Sequence, residues 1–330
     1  MTEISPKTSL ILLACLASVS TASALDLSRP EVRAFIEETS RDHGVERAHL
    51  EALLAKAETK QAILDAISRP AERVVPWHEY RERFLTEKRI LQGADFWIGH
   101  GQALKSIVDP NVAASVVGIL GVETSFGRIT GRYRVIDALA TLAFDYPPRA
   151  EFFRGELQQF FLLAREEAVD PATALGSYAG AMGAPQFISS SYRNFAIDGD
   201  GDGRRDLWGN WDDVIASVAN YLFAYGWRAG EPVVVAAELD AADLSRFDTS
   251  KVELNETVQS LRDKGVRFET SLAGDAPAML IAAQGKDGPL YRVGFNNFYA
   301  ITRYNRSTMY AMAVNDLGQA VLNFMRDSSR

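Results

Sequence analysis

Cysteine is almost missing from this chain of 330 residues; the single one, Cys15, lies near the N-terminus. The body of the protein therefore has no disulfide framework, no thiolate nucleophile and no cysteine zinc site to work with. Histidine is scarce as well. His43, His49, His78 and His100 form no HExxH and no other metal-ligand spacing. No run of basic residues occurs and the formal net charge is -8, which argues against a nucleic-acid binder. It argues equally against loose adhesion to an anionic polymer, so any such partner has to be held in a shaped cleft. A GK[ST] phosphate loop is absent. Gly176-Ser177-Tyr178-Ala179-Gly180 is not a GxSxG elbow, because the serine directly follows the first glycine. After the N-terminal leader, no segment is apolar enough to cross a bilayer.

The leader itself is informative. Lys7 precedes an apolar run from Leu10 to Val19, and Ala22-Ser23-Ala24 offers a small-residue cleavage site. This is the pattern of a secretory signal peptide over residues 1–24. Leu12-Leu13-Ala14-Cys15 loosely resembles a lipoprotein box, which makes anchoring through Cys15 the alternative. Residues 28–69 look wholly helical: Ser28 and Glu31 make a capping box around Pro30, and Val32, Phe35, Ile36 and Thr39 repeat at helical spacing up to Gly44. Leu50, Leu53, Leu54 and Ala57 mark a second helix, and Ile63, Leu64 and Ile67 a third. A further helical stretch, residues 134–167, breaks at Tyr146-Pro147-Pro148. From Glu231 onward "EPVVVAAEL", "GVRFETSL", "AMLIAAQG", "LYRVGF" and "FYAITRY" read as short strands, before a final helix from Met309 to Met325. The expected class is α+β, predominantly α, with a small late β insertion.

Three motifs can carry chemistry. "GILGVETSFG" (118–127) puts the carboxyl of Glu123 at the end of an apolar helix running from Val112, with Gly127 as its expected stop. Low dielectric and the negative end of the helix dipole both favour the protonated form, which suits a general acid. The alternative is a Glu that turns to the surface or meets Arg128. In "GSYAGAMGAPQF" the small residues Gly176, Ala179, Gly180, Ala181, Gly183 and Ala184 allow close backbone approach, and Ser177, Tyr178 and Gln186 offer neutral hydrogen bonds. That set suits a sugar, and equally a tight helix contact. "DGDGDGRRDLW" opens like an EF-hand loop, with Asp198, Asp200 and Asp202 at positions 1, 3 and 5 and Gly203 at 6. Gly209 stands where a bidentate Glu is expected, so closure by Asp212 or Asp213 or a plain acidic turn both remain open. Near the C-terminus, Tyr299, Tyr304, Asn305 and Tyr310 could stack on a sugar or fill a core.

Together "GVETSFG", "YRVIDALATLAFDYPPRAEFFRGEL", "GSYAGAMGAPQF", "DGDGDGRRDLW", "ASVANYL" and "NNFYAITRYN" resemble, in order and spacing, the lytic murein transglycosylase B family. The resemblance implies a goose-lysozyme-like core over residues 76–230, a helical region over 25–75, a small β region over 231–298, and a segment 299–330 that returns to the core. It implies periplasmic action on peptidoglycan glycan strands by a monomer, with cell-wall synthesis or remodelling proteins as possible partners. It assigns Glu123 as the single acid/base. It assigns Ser177, Gln186, Tyr221, Tyr304, Asn305, Tyr310 and, less firmly, Tyr80 to the glycan cleft, with Ser177 at the N-acetyl group. It assigns Asp198, Asp200, Asp202, the Arg204 carbonyl and Asp213 to a structural calcium ion, with no cofactor required for chemistry. Ala184-Pro185 before Gln186 stands where the family varies. The implied reaction cleaves the β-1,4 bond between N-acetylmuramic acid and N-acetylglucosamine and closes a 1,6-anhydro ring. A hydrolytic muramidase or a non-catalytic glycan-binding protein would share parts of this pattern.

Overall fold

The computed structural model describes residues 22–69 and 75–328. The apolar leader run and Cys15 lie outside the described residues. At the N-terminal side β1 (Ala22–Ala24) pairs antiparallel with β2 (Glu58–Lys60), and α1 (Pro30–His43), α2 (Arg47–Leu54) and α3 (Gln61–Ile67) surround the pair. The segment is thus not wholly helical. Glu58 and Lys60 donate their backbone N–H groups to Asp137 (2.9 Å) and Thr141 (3.1 Å), which draws them into an extended edge. The expected capping box at Ser28 does not form either. Arg29 occupies the N-cap, and its guanidinium takes Glu31 and Asp145 (both 2.7 Å), so Glu31 cannot reach back to the cap. Gly44, with φ +61°, ends α1 as expected.

The central body comprises α4 (Trp77–Glu82), α5 (Glu87–Gly99), α6 (Gly101–Ser106), α7 (Pro110–Thr124), β3 (Tyr133–Arg134), α8 (Val135–Asp145), α9 (Ala150–Glu166), β4 (Leu175–Gly176), α10 (Ser189–Phe195) and α11 (Trp211–Ala224). Pro147–Arg149 forms a short 3₁₀ turn between α8 and α9, where the Pro-Pro pair breaks the helical run. Helix α7 is the axis of this body: from Val112 to Gly121 every side chain is buried.

The late sheet runs in the order β5 (Val234–Ala237), β8 (Pro289–Gly294), β7 (Pro277–Gln284), β6 (Glu256–Thr257), all antiparallel, with α12 (Val258–Asp263) beside it. Its own small core gathers Val258, Leu261, Leu280, Val293 and Phe295. Two expected strands are corrected. "GVRFETSL" contributes only a bridge between Arg267 and Glu238, after the left-handed Gly265 (φ +93°). "FYAITRY" is helix α13 (Asn296–Tyr304), because Asn297, Phe298, Ala300 and Ile301 bury one helical face, outweighing its aromatic strand propensity. The chain then closes with α14 (Thr308–Ser328). Gly118 and Gly318 sit where α14 crosses α7. A Cβ on either would lie 2.1 Å from the other helix's backbone oxygen, Val314 O or Ala114 O, so the crossing needs both glycines. That crossing brings the start of α14 over the end of α7.

Candidate active site

Asp109 caps the start of α7, accepting the Asn111 N–H (2.8 Å), and Pro110 takes the first helical position. The helix stops at Ser125, two residues before the expected Gly127. Ser125, Phe126 and Gly127 are all left-handed (φ 54°, 60° and 76°). The turn is fixed from both sides. Thr124 Oγ1 accepts the Gly127 N–H (3.0 Å) and donates to the Ala184 carbonyl (2.9 Å), while the Phe126 ring stacks 5.5 Å from Phe96. A Cβ on Gly127 would meet the Trp211 ring at 2.7 Å.

Glu123 occupies the last turn of α7, half-buried, and forms no pair with Arg128, which donates instead to the Ser125 carbonyl (3.1 Å). The Tyr310 hydroxyl, from α14, donates to Glu123 Oε1 at 2.7 Å. Burial pushes the Glu123 carboxyl up to about 7, against the Tyr310 hydrogen bond, which favours the carboxylate. The phenols of Tyr304 and Tyr310 are themselves raised by burial and by the neighbouring Glu123, so they stay protonated donors.

Glu123 opens on a cleft of about 550 Å³ lined also by residues 128–133, Ser177, Tyr178 and Gln186. Among the described residues it is the only carboxyl on that lining. The glycine-rich loop forms the facing wall. Gly176 bridges Met182, and Gly183 (φ +67°) lies so close to the Leu207 carbonyl that a Cβ would approach it to 2.2 Å. Ser177 Oγ accepts the N–H groups of Ala179 (3.2 Å) and Ala181 (3.1 Å), which leaves its O–H free to donate. Gln186, itself left-handed (φ 54°), donates to the carbonyls of Thr130 (3.0 Å) and Gly183 (2.9 Å). Ser177 is held by its own loop, and Gln186 by its own loop and by Thr130 of the segment after α7.

Of the aromatic candidates, Tyr310 and Tyr304 lie next to Glu123, and none of Tyr80, Tyr221, Tyr304 and Tyr310 is on the lining of this cleft. Tyr304 donates to the Pro185 carbonyl, and Tyr221 is buried with its hydroxyl on the Arg303 carbonyl (2.7 Å) and its ring 4.7 Å from Tyr304. Tyr80, on α4, packs 5.2 Å from Phe84 and lies within electrostatic range of Tyr310. Asn305 is exposed at the end of α13. Tyr178, beside Ser177 in the glycine-rich stretch, was among the sequence candidates, whereas sequence reasoning missed the cleft wall formed by Arg128, Ile129, Thr130, Arg132 and Tyr133. Its one available signal was the polar, cationic "GRITGRYR" following the acid directly.

On the acidic loop, oxygens of Asp198, Asp200 and Asp202 all lie within 4.8 Å of one another. Asp198 accepts the N–H groups of Gly201 (2.7 Å) and Gly203 (2.8 Å), and the Arg204 N–H goes to Asp202 (2.9 Å). Asp213, buried at the start of α11, accepts the N–H groups of Gly199 (2.7 Å) and Asp206 (2.6 Å). It thereby ties the loop to the helix. Burial, and then the charges of Asp200 and Asp198, raise its carboxyl above the ordinary range. Clustered oxygen donors with mutual repulsion fit a hard divalent cation.

A raised carboxyl on a polar cleft in a mostly helical body fits the class of glycan-cleaving proteins. The sequence profile of the family described as "Transglycosylase SLT domain" matches residues 28–319, and the chain belongs to that family. It is 40% identical over 308 residues to the membrane-bound lytic murein transglycosylase B of Escherichia coli, covering 89% of this chain and 83% of the relative. Among solved structures, the catenated lytic transglycosylase SltB1 of Pseudomonas aeruginosa superposes with a TM-score of 0.86 at 48% identity, covering 89% of this chain and 98% of that one. The E. coli lytic transglycosylase Slt35 in complex with calcium gives 0.82 at 39%, covering 91% and 96%.

Proposed function

We propose that Glu123 is the sole acid/base of a peptidoglycan lytic transglycosylase. The chain is a lyase acting on peptidoglycan, as its family and relatives are. The observation that carries the mechanism is the Glu123 carboxyl, raised to about 7, on a cleft lining that holds no second acid among the described residues. An ordinary glycosidase needs two carboxylates, whereas substrate assistance by an N-acetyl group dispenses with one.

At neutral pH a substantial fraction of Glu123 carries its proton and can give it to the glycosidic oxygen between N-acetylmuramic acid and N-acetylglucosamine. The C1–O bond breaks, and the muramyl N-acetyl oxygen stabilises the electron-poor C1. In this reading Ser177, whose O–H is free, donates to that acetyl group, and Gln186 holds the neighbouring sugar. Glu123, now a carboxylate steadied by Tyr310, takes the proton of the muramyl C6 hydroxyl as O6 closes on C1. The proton returns to Glu123, no water is consumed, and the product ends in a 1,6-anhydro ring. Tyr304 lies close enough to Glu123 to feel its charge, and in this reading Tyr221, Tyr80 and Asn305 belong to the wider glycan cleft.

In the same reading, Asp198, Asp200, Asp202 and the Arg204 carbonyl would hold a calcium ion, with Asp213 bracing the loop. The ion would stiffen the loop ahead of α11 and take no part in the chemistry. On that reading the leader-like sequence directs the enzyme to the periplasm, released or anchored through Cys15, and a monomer works there on glycan strands beside wall-building proteins. Among the described residues no helix is long and apolar enough to cross a membrane. The test of the acid assignment is Glu123→Gln: the isosteric amide should still bind glycan and release no muropeptides. Near-normal release would remove Glu123 from the mechanism.

A further inference from the structure

Helices α9 and α10 pack against each other and leave between them a surface pocket of about 730 Å³ that shares no residue with the catalytic cleft. Its floor is one face of α9, where Phe152, Gly155, Glu156 and Gln159 follow helical spacing, and Ser190 and Asn194 of α10 form the other side. Gly155 is the unusual member. A glycine inside a helix weakens it relative to alanine, and close packing is the usual reason to keep one. Gly93, Gly118, Gly121 and Gly318 all meet that condition, since a Cβ on any of them would stand 2.1–2.6 Å from a neighbouring atom. A Cβ on Gly155 would meet nothing within 4 Å. The missing side chain therefore leaves open space above the helix, one turn along from the Phe152 ring, which is 40% exposed.

The polar lining is mostly neutral where it is free. Glu156 is buried and already accepts the Ser190 N–H (2.9 Å) and hydroxyl (2.7 Å). The Arg193 guanidinium, also on the lining, is taken up by Glu166 (2.7 Å) and by the Gln159 side-chain oxygen. The Gln159 N–H groups and the exposed Asn194 amide have no partner among the described residues, and the exposed Glu151 carboxylate stands beside them. With no unpaired cation on the lining, a phosphate or carboxylate ligand is disfavoured. The Arg149 guanidinium lies 4.3 Å from the Phe152 ring centroid, which leaves less aromatic surface for a cationic ligand. An apolar ring surface beside hydrogen-bonding amides suits a neutral sugar.

We propose that this pocket is a second glycan site, which binds N-acetylglucosamine rings of the strand away from the bond being cut. The apolar face of the sugar rests on Phe152 in the space above Gly155, and Gln159, Asn194 and Glu151 take its hydroxyl and acetamide groups. The proposal rests on the peptidoglycan reading above and extends it: a strand held at two places stays with the enzyme between cuts.

The test titrates isotope-labelled Glu123→Gln protein with chitotetraose, a neutral oligosaccharide that carries no stem peptide, and follows the backbone amide resonances. Two groups should move, one around Ser177 in the cleft and one around Phe152, Gly155 and Asn194, each with its own saturation curve. In the same protein carrying Gly155→Leu, the second group should saturate at least about tenfold more weakly while the cleft group is unchanged. Leucine there enters open space and favours the helix, so the melting temperature should hold or rise. Phe152→Ala should give the same loss of the second group. Shifts confined to the cleft in the parent, or an unaltered second group in the leucine variant, overturn the proposal and leave the lyase reading intact. If the cleft resonances do not move and the wild-type protein forms no anhydro ends on peptidoglycan, the peptidoglycan reading falls, and this proposal with it.

Discussion

Glu123 titrates near 7 in the folded chain and near the ordinary 4.5 once unfolded, because burial disfavours its charge. Between those values the folded state keeps a proton that the unfolded state releases. The group's stabilising contribution is therefore complete below about pH 4.5 and is lost as pH rises toward 7. Glu123→Gln has nothing to lose over that range. Allowing for the water that reaches the cleft side, the variant should exceed the parent by about 1–2 kcal/mol above neutrality and match it in acid. Urea denaturation on both sides of the window measures this, and a constant gap at every pH would contradict it. Tyr310→Phe has a different signature. Without its O–H the carboxylate form is less favoured, so the alkaline limb of the pH–rate profile should move upward while the rate falls about tenfold. A fall in rate with no movement of the limb would mean that Tyr310 only packs. At this scale much was legible: an acid at the end of an apolar helix is an anomaly that asks for a reason, and Ser177 and Gln186 stand out among small residues. Arg128 and Arg132 were not legible, since cations in a polar loop look the same whether they face a ligand or bulk water.

Helix α7 could be recognised as buried from its unbroken apolar run, and Glu123 could be placed in its last turn. The exact stop could not. Three consecutive left-handed residues are held by Thr124, Phe96 and Trp211, all contacts from outside the turn. Likewise α13 was read as a strand because its aromatic content was weighed above the spacing of Phe298 and Ile301, and only packing decides between them. The crossing of α7 and α14 matters most for function, since it delivers Tyr310 to Glu123. Gly318→Ala drives a methyl against the Ala114 carbonyl and should cost about 1–3 kcal/mol of stability. It should also reduce turnover through the displaced Tyr310. Chemical denaturation and initial rates on the same preparation check both, and a fully stable, fully active variant would show that the crossing can relax.

Across the whole molecule, a lysozyme-like body, a small late sheet and an acidic loop are joined into one framework around the cleft. The loop's sequence reads as a cation loop or a plain acidic turn, while the part of Asp213 as a brace on α11 depends on tertiary hydrogen bonds that spacing does not reveal. Calcium bound to the folded state alone should raise the melting temperature by several degrees, on the order of 5 °C at saturating ion, relative to a chelator. In an Asp198→Ala/Asp202→Ala double variant that difference should vanish. Persistence of the full shift would place the ion elsewhere.

If the substrate supplies its own nucleophile one carboxyl suffices, and the ends of the released fragments report on that directly. Mass spectrometry of muropeptides released from purified peptidoglycan should find 1,6-anhydro-N-acetylmuramic acid at the cut ends, lighter by one water than the free sugar and unchanged by borohydride. Ends that are wholly reducible would show water in the place of the C6 hydroxyl and would contradict the account.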